Sequence, residues 1–443
     1  MKLDSKMMKS LLPLFLLYAF IVAGCSTDDD AAPLKGDRIS ILDLERELIN
    51  AENTEDASNI VIPAVYKNMF WPQAGGYPSH IMQNMAFTAN APKRIWTADI
   101  GDGSGRIPLT AQPIVADGKV FTLDTRSNLS AYIAASGKRL WQASVKSPLE
   151  DEEVIGGGIA FSDGTLYVTA GYNEVLAINP NSGEIVWRAA TIAPSRAAPT
   201  IMQGRVFVSL LNNSVIALNA GNGALIWEYN SIGESAGLLG AASPAADNDI
   251  VVPGLSSGDI LALRVENGAV AWQDNLSRSL RLGGISGLAD IRALPVIDGE
   301  IILGISFGGK MAAIDKRTGN RLWQRDITGK EMPWIAGDVV YVLTSENEVI
   351  AMNKITGAIF WMTALKKFEN AEKREDPIIW TGPVMAGSRL ILAGSGGRVA
   401  EINPLNGEMI REWKSGKNVR IAPIVANEIL YLLGEDGTLL AYQ

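Results

Sequence analysis

The sequence predicts an eight-bladed β-propeller of four-stranded blades. Three observations carry that prediction: a tryptophan at regular spacing, a phrase shared by the segments that end in it, and a last unit that lacks its fourth strand. The tryptophans are Trp96, Trp141, Trp187, Trp227, Trp272, Trp323, Trp361 and Trp413. Spacings of about 40 to 50 residues belong to repeats built from four strands. Most of these residues close the phrase Ala-x-x-x-x-x-Gly-x-x-x-Trp.

Each unit repeats one order of elements. An apolar first strand often opens at a proline, as at Pro113, Pro199, Pro295, Pro383 and Pro423. A tight turn follows at Asp117-Gly118, Asp163-Gly164, Gln203-Gly204 and Asp298-Gly299. Asp-Gly suits a two-residue hairpin turn because both central residues take positive φ. The second strand is β-branched or aromatic, as in Val120-Phe121-Thr122 and Val340-Tyr341-Val342. The third carries the alanine of the phrase, for example Ala177, Ala217 and Ala351. A turn ending in glycine (Gly137, Gly183, Gly223, Gly268, Gly319, Gly357, Gly407) leads to the outer, Trp-bearing strand. The small alanine allows close packing, and the glycine supplies a left-handed turn residue.

A large ring repeated once per unit fills the seam between neighbouring blades. Trp71, Trp334 and Trp380 fall outside this phase. The C-terminal unit ends just after Ala441, without its glycine turn or tryptophan, and the missing strand is found at Lys93-Arg94-Ile95-Trp96. That strand is expected to complete the last blade and close the ring, leaving fewer open edges. The unit ending at Trp413 is irregular: Glu401 occupies the alanine phase and the tryptophan comes two residues late.

Composition narrows the function. Hydrophobic content of 47% with 20% charge belongs to a well-packed globular protein. Net charge is −9, and Lys2, Lys6 and Lys9 make the N-terminus basic, so the body is more acidic still. An acidic body disfavours nucleic acid and anionic lipid surfaces. With Cys25 and His80 as the only cysteine and histidine, an intramolecular disulfide, a cysteine cluster and an imidazole-built metal site are excluded. A Ser/His/Asp triad would need His80. That lone histidine after a glycine-rich turn reads as a hydrogen-bonded loop residue. Gly156-Gly157-Gly158 lacks the Lys-Ser/Thr of a phosphate loop and reads as a strand start. No catalytic or metal-binding set emerges, and no cofactor is expected.

Residues 1–24 read as a signal peptide: a lysine-bearing start, an apolar run from Leu11 to Val22 too short to span a bilayer, then small residues. The run ends Ile21-Val22-Ala23-Gly24-Cys25-Ser26, which resembles a bacterial lipoprotein box with Cys25 as the lipidation site. Ser26 after the cysteine implies passage to the outer membrane. Residues 25–62 are then a polar tether. Within it Ser40 caps an expected short amphipathic helix over 41–52, from the spacing of Ile41, Leu44 and Leu48. Residues 63–443 form the propeller.

The repeat phrase resembles that of the quinoprotein propellers. These include dehydrogenases that hold pyrroloquinoline quinone with calcium, and lipoproteins of the outer-membrane β-barrel assembly machine. The lipobox and the size of a bare propeller select the assembly lipoproteins, and Trp71-Pro72-Gln73-Ala74-Gly75-Gly76 followed by His80 is similar to their alphaproteobacterial type. The resemblance implies a non-catalytic scaffold, lipid-anchored at the periplasmic face of the outer membrane. It would bind the barrel insertase subunit and sit with the machine's other lipoproteins. It would also present unfolded outer membrane proteins by strand addition at blade edges. The dehydrogenase alternative lacks the adjacent cysteine pair those enzymes lay over the quinone. A third alternative, a periplasmic ligand-binding propeller, would show a polar, convergent central pocket.

In the assembly lipoproteins the insertase is held by loops between blades near mid-sequence. The matching segments are Ala236-Gly237-Leu238-Leu239-Gly240 and Ser286-Gly287-Leu288-Ala289-Asp290-Ile291-Arg292. The resemblance makes Leu238, Leu239, Asp290 and Arg292 the partner-binding residues, with the leucines as an apolar anchor and the charges at the rim. Leu239 stands where the family has a basic residue and Arg292 where it has an acid, which implies a partner of compensating charge.

Overall fold

The computed structural model describes residues 54–149, 154–231, 241–277 and 290–443. Cys25, the expected helix at 41–52, Leu238 and Leu239 lie outside the described residues. The compact unit spans Asn50–Gln443, so residues 54–62, read from sequence as tether, lie within it.

Among the described residues, eight four-stranded antiparallel sheets are the blades, and one extra hairpin, Phe368–Asn370 with Glu375–Pro377, stands between blades 6 and 7. Blades 1 to 7 run through residues 114–144, 158–190, 200–230, 245–275, 296–325, 334–364 and 380–414. Blade 8 joins the strands of 424–442 to Arg94–Asp99. The ring closes as the sequence predicts: Trp96 pairs with Ala441, and the N–H and C=O groups of Lys93 and Gln443 bond reciprocally at 2.9 and 3.0 Å.

Turn chemistry largely follows the sequence. Asp117-Gly118, Asp163-Gly164 and Gln203-Gly204 all take positive φ, between 48° and 73°. Blade 5 departs from this. Asp298 is the last residue of its strand and pairs with Ile301, so the turn is Gly299-Glu300 and only Gly299 is left-handed.

The repeat phrase has one geometric meaning. In seven blades the alanine pairs across the ladder with the tryptophan of the same blade: Ala131 with Trp141, Ala177 with Trp187, Ala217 with Trp227, Ala262 with Trp272, Ala313 with Trp323, Ala351 with Trp361, and Ala441 with Trp96. Each indole then reaches into the following blade. Its N–H donates to a backbone carbonyl there, from Trp96 to Ala134 through Trp227 to Val265 and Trp361 to Pro404, at 2.7 to 3.0 Å. The glycine of that next blade forms the seat. A Cβ on Gly223 would stand 2.7 Å from the ring of Trp187, and one on Gly268 would stand 2.6 Å from Trp227. So the glycine serves two ends: it takes the left-handed turn and leaves room for the neighbour's indole. Aromatic residues of the second strand complete the packing, as with Phe207 beside Trp227 and Tyr341 beside Trp361 at centroid distances of 5.8 and 6.0 Å.

Blade 7 breaks the pattern where the sequence said it would. Glu401 pairs with Arg411, and Trp413 pairs with Val399. The reason lies in blade 8, whose two outer strands come from distant parts of the chain and share no turn that could seat an indole. Trp413 instead packs edge-on against Tyr442 at 4.9 Å and donates to Glu401 Oε1 at 2.9 Å. Glu401 is fully buried and also accepts from Arg389 at 2.9 Å and Arg411 at 2.7 Å.

A strap, residues 66–87, crosses the inside of the ring and explains two of the out-of-phase tryptophans. It meets the blades in ring order. Asn68 bonds blade 8 at Val425 and Asn427, Trp71 pairs with Val115 of blade 1, and the Pro72 carbonyl accepts from Phe161 of blade 2. The Gln73 amide bonds both backbone groups of Ile201 in blade 3, and Pro78 and Ser79 accept from Ala246 and Ile297 of blades 4 and 5. Gln83 takes bonds from Trp334 Nε1 and Gly337 of blade 6, and Met85 bonds blade 7. First strands facing the axis have no further strand to pair with, and the strap satisfies their backbone groups. Trp71 and Trp334, each 1% exposed, stack at 6.3 Å near the axis. Trp380 is buried in the first strand of blade 7, its N–H on the Lys366 carbonyl.

Candidate functional site

Above the strap, the axis opens into a cavity of about 320 Å³. Every blade contributes the residues that lead into its first strand, from Leu109 in blade 1 to Arg420 in blade 8. Trp71, Ala74 and Gly75 of the strap form the floor. Its rigidity comes from Gln112, whose carbonyl takes bonds from Trp71 Nε1 and Gly75 N while its amide donates to Ala422.

Among the described residues the charged lining is mostly cationic: Arg196, Arg292, Lys330 and Arg420 against Glu331 and Glu435. Arg420 pairs with Glu435 at 2.8 Å. Glu331 is held by the Thr381 hydroxyl at 2.6 Å and the Gly382 N–H at 3.3 Å. Burial lowers the pKa of Lys330, Glu331 opposes this, and Arg292 and Arg420 add to the lowering. Among the described residues the lining has cations, hydroxyls and apolar walls but no histidine or cysteine. It is equipped to bind, with no nucleophile set beside an imidazole base.

The sequence-predicted residues separate here. Arg292 is half-buried and lines the cavity mouth, as does Ala241. Asp290, expected as a rim charge, is only 5% exposed, and its carbonyl accepts from Phe307 at 3.0 Å. A carboxylate buried to that degree is part of the blade's own packing and polar network. His80 is a hydrogen-bonded loop residue as expected, with Nδ1 2.6 Å from the Pro295 carbonyl. Burial pushes its pKa down to about 4, so the ring is neutral and Nδ1 donates. Gly158 begins a strand, as read from the glycine run.

Arg196, Lys330 and Arg420 were not singled out in the sequence, yet a signal was present. Each stands three residues before the proline that precedes a first strand: Pro199, Pro333 and Pro423. Arg292 stands likewise before Pro295.

Comparison with known proteins bears on this architecture. The family model described as "Outer membrane protein assembly factor BamB" matches residues 82–152 and 125–363, more than half of the chain. The chain belongs to the BamB family. A BamB relative from Salmonella typhimurium is 26% identical over 355 residues, covering 79% of this chain and 88% of its own. One from Xanthomonas campestris is 27% identical over 355 residues, covering 79% and 85%. Among solved structures, BamB from Moraxella catarrhalis superposes with a TM-score of 0.67 at 20% identity, covering 80% of this chain and 100% of that one. A quinohemoprotein alcohol dehydrogenase from Comamonas testosteroni superposes at 0.65 with 13% identity, covering 89% and 84%. At such identities the likeness is one of fold, shared by the BamB family and quinoprotein enzymes alike.

Proposed function

We propose that the protein is a non-catalytic scaffold of outer membrane protein assembly, anchored by lipid at Cys25 to the periplasmic face of the outer membrane. Membership of the BamB family carries this reading, since its relatives are named assembly factors. The sole cysteine stands in a lipobox, which leaves no cysteine pair for quinone chemistry.

The barrel insertase subunit is the proposed partner, alongside the other assembly lipoproteins. Leu238, Leu239 and Arg292 would meet it directly, with the buried Asp290 close to Arg292 in the second segment. The outer strands support a role with unfolded barrel proteins. Leu140, Val186, Leu225, Leu322 and Ile410 are exposed on them, one to a blade, on strands that form the outer edge of each sheet.

The test is affinity purification from detergent-solubilised membranes. A large β-barrel subunit should accompany the full-length protein and be lost on Leu238→Asp with Leu239→Asp. Co-purification that survives the double substitution overturns the assigned contact. A purified protein carrying a quinone chromophore would overturn the scaffold reading itself.

A further inference from the structure

The cationic mouth has a role that a scaffold does not require. Four blades place a cation at one position of the repeat, three residues before a proline: Arg196, Arg292, Lys330 and Arg420. Ring symmetry turns one phase of the sequence into one circle in space, and all four line the same cavity of about 320 Å³. Arg420 is neutralised by Glu435. Among the described residues, Arg196, Arg292 and Lys330 have no carboxylate within ion-pair distance.

Gathering like charges in a half-buried cavity costs self-repulsion and desolvation, in a chain whose net charge is −9. Lys330 registers that cost, since burial and the nearby Arg292 and Arg420 hold it below the usual lysine range. An anion in the mouth would offset it. Trp71, Ala74 and Gly75 of the strap line the cavity, and Trp71 stacks on Trp334 beside it. The volume is at the small end of ordinary ligand pockets. Met332 and Val384 give it apolar wall.

We propose that this mouth binds a small organic anion bearing two or more carboxylate or phosphate groups, gripped by Arg196, Arg292 and Lys330. The inference shares Arg292 with the proposed insertase contact, so its test uses Arg196 and Lys330, which that contact does not include. It is tested on the full-length protein in detergent by titration calorimetry with citrate, pyrophosphate and acetate. Citrate or pyrophosphate should bind at one site per chain, and the one that does identifies a carboxylate or a phosphate ligand; acetate should give no heat. Arg196→Gln and Lys330→Met should each weaken binding about tenfold or more, as loss of a charge-assisted bond does. Lys330→Arg should retain binding, and Arg317→Gln, on the exposed surface, should leave it unchanged. Failure of both polyanions to bind overturns the proposal, as does equal binding by folded Arg196→Gln and Lys330→Met proteins. A crystal soaked in the bound anion tests it without substitution: density against the three cations supports it, and density only elsewhere overturns it.

Discussion

The seam between blades 3 and 4 and the seam between blades 7 and 8 do the same job with different chemistry. At the first, Trp227 lies on Gly268 and donates to the Val265 carbonyl. At the second there is no turn to lie on, and Trp413 turns to Glu401, which Arg389 and Arg411 neutralise. Arg389 also donates to the carbonyls of Phe87 and Ala89, the segment that leads into the closing strand. A repeated seam needs only a small residue, a ring and a carbonyl. The closing seam lacks the covalent turn; a buried charge cluster ties blade 7 to the segment at Phe87 and Ala89, and Trp413 meets Tyr442 of blade 8. That arrangement has a cost: the Nε atoms of Arg389 and Arg411 are buried without a partner among the described residues.

Breaking the cluster should have the largest effect. Glu401→Ala strands two guanidinium groups and is expected to cost about 3–5 kcal/mol in equilibrium urea unfolding. A cost within the range of an exposed substitution would mean that Tyr442 and the strand pairing close the ring unaided. The strap, which also binds the blades together, should come next. His80 has its folded-state pKa depressed to about 4 from 6.5. Its contribution is therefore present above pH 6.5 and lost as pH falls toward 4, a total of about 3 kcal/mol by linkage. In urea midpoints measured across that range, His80→Asn should show a shallower acid loss than the parent chain.

The glycine seat can be isolated by a matched pair. Gly223 and Gly118 have φ of 73° and 70°, but a Cβ on Gly223 meets Trp187 whereas one on Gly118 meets nothing within 4 Å. Gly118→Ala should cost about 1 kcal/mol for backbone strain, and Gly223→Ala about 2–3 kcal/mol with the clash added. Equal costs would remove the seat from the account. The smallest expected difference is between two tryptophans. Trp227→Phe leaves the Val265 carbonyl without its donor, while Trp413→Phe leaves Glu401 still bonded to two arginines. The first should be the more destabilising by about 1 kcal/mol in thermal or urea unfolding.

The fold was legible because its signal is periodic. Ala131, Gly137 and Trp141 recur with their counterparts at one phase, and repetition marks structure even when each residue alone is ambiguous. The same logic applied to the truncated unit placed Trp96 against Ala441. The strap was not legible, because residues 66–87 satisfy a different blade at almost every step and have no period of their own. Asp290 reads as a rim charge in the sequence and is buried in the structure for a related reason: sequence shows a charge but not which way the backbone turns it. The cationic mouth lay between these cases. Its phase was written in the prolines, but four isolated cations spread over more than half the chain become neighbours only once the ring is closed.

By itself, then, the sequence determined the blade count, the closing strand, the irregular seventh unit and the family. Each rests on local patterns of strand, turn and side-chain size, which the chain repeats and which short-range sterics enforce. Tertiary structure alone decided what fills the axis, why the glycine must be a glycine twice over, and which charges face one another. Those outcomes depend on distances between residues far apart in the chain, and closure of the ring is what sets them.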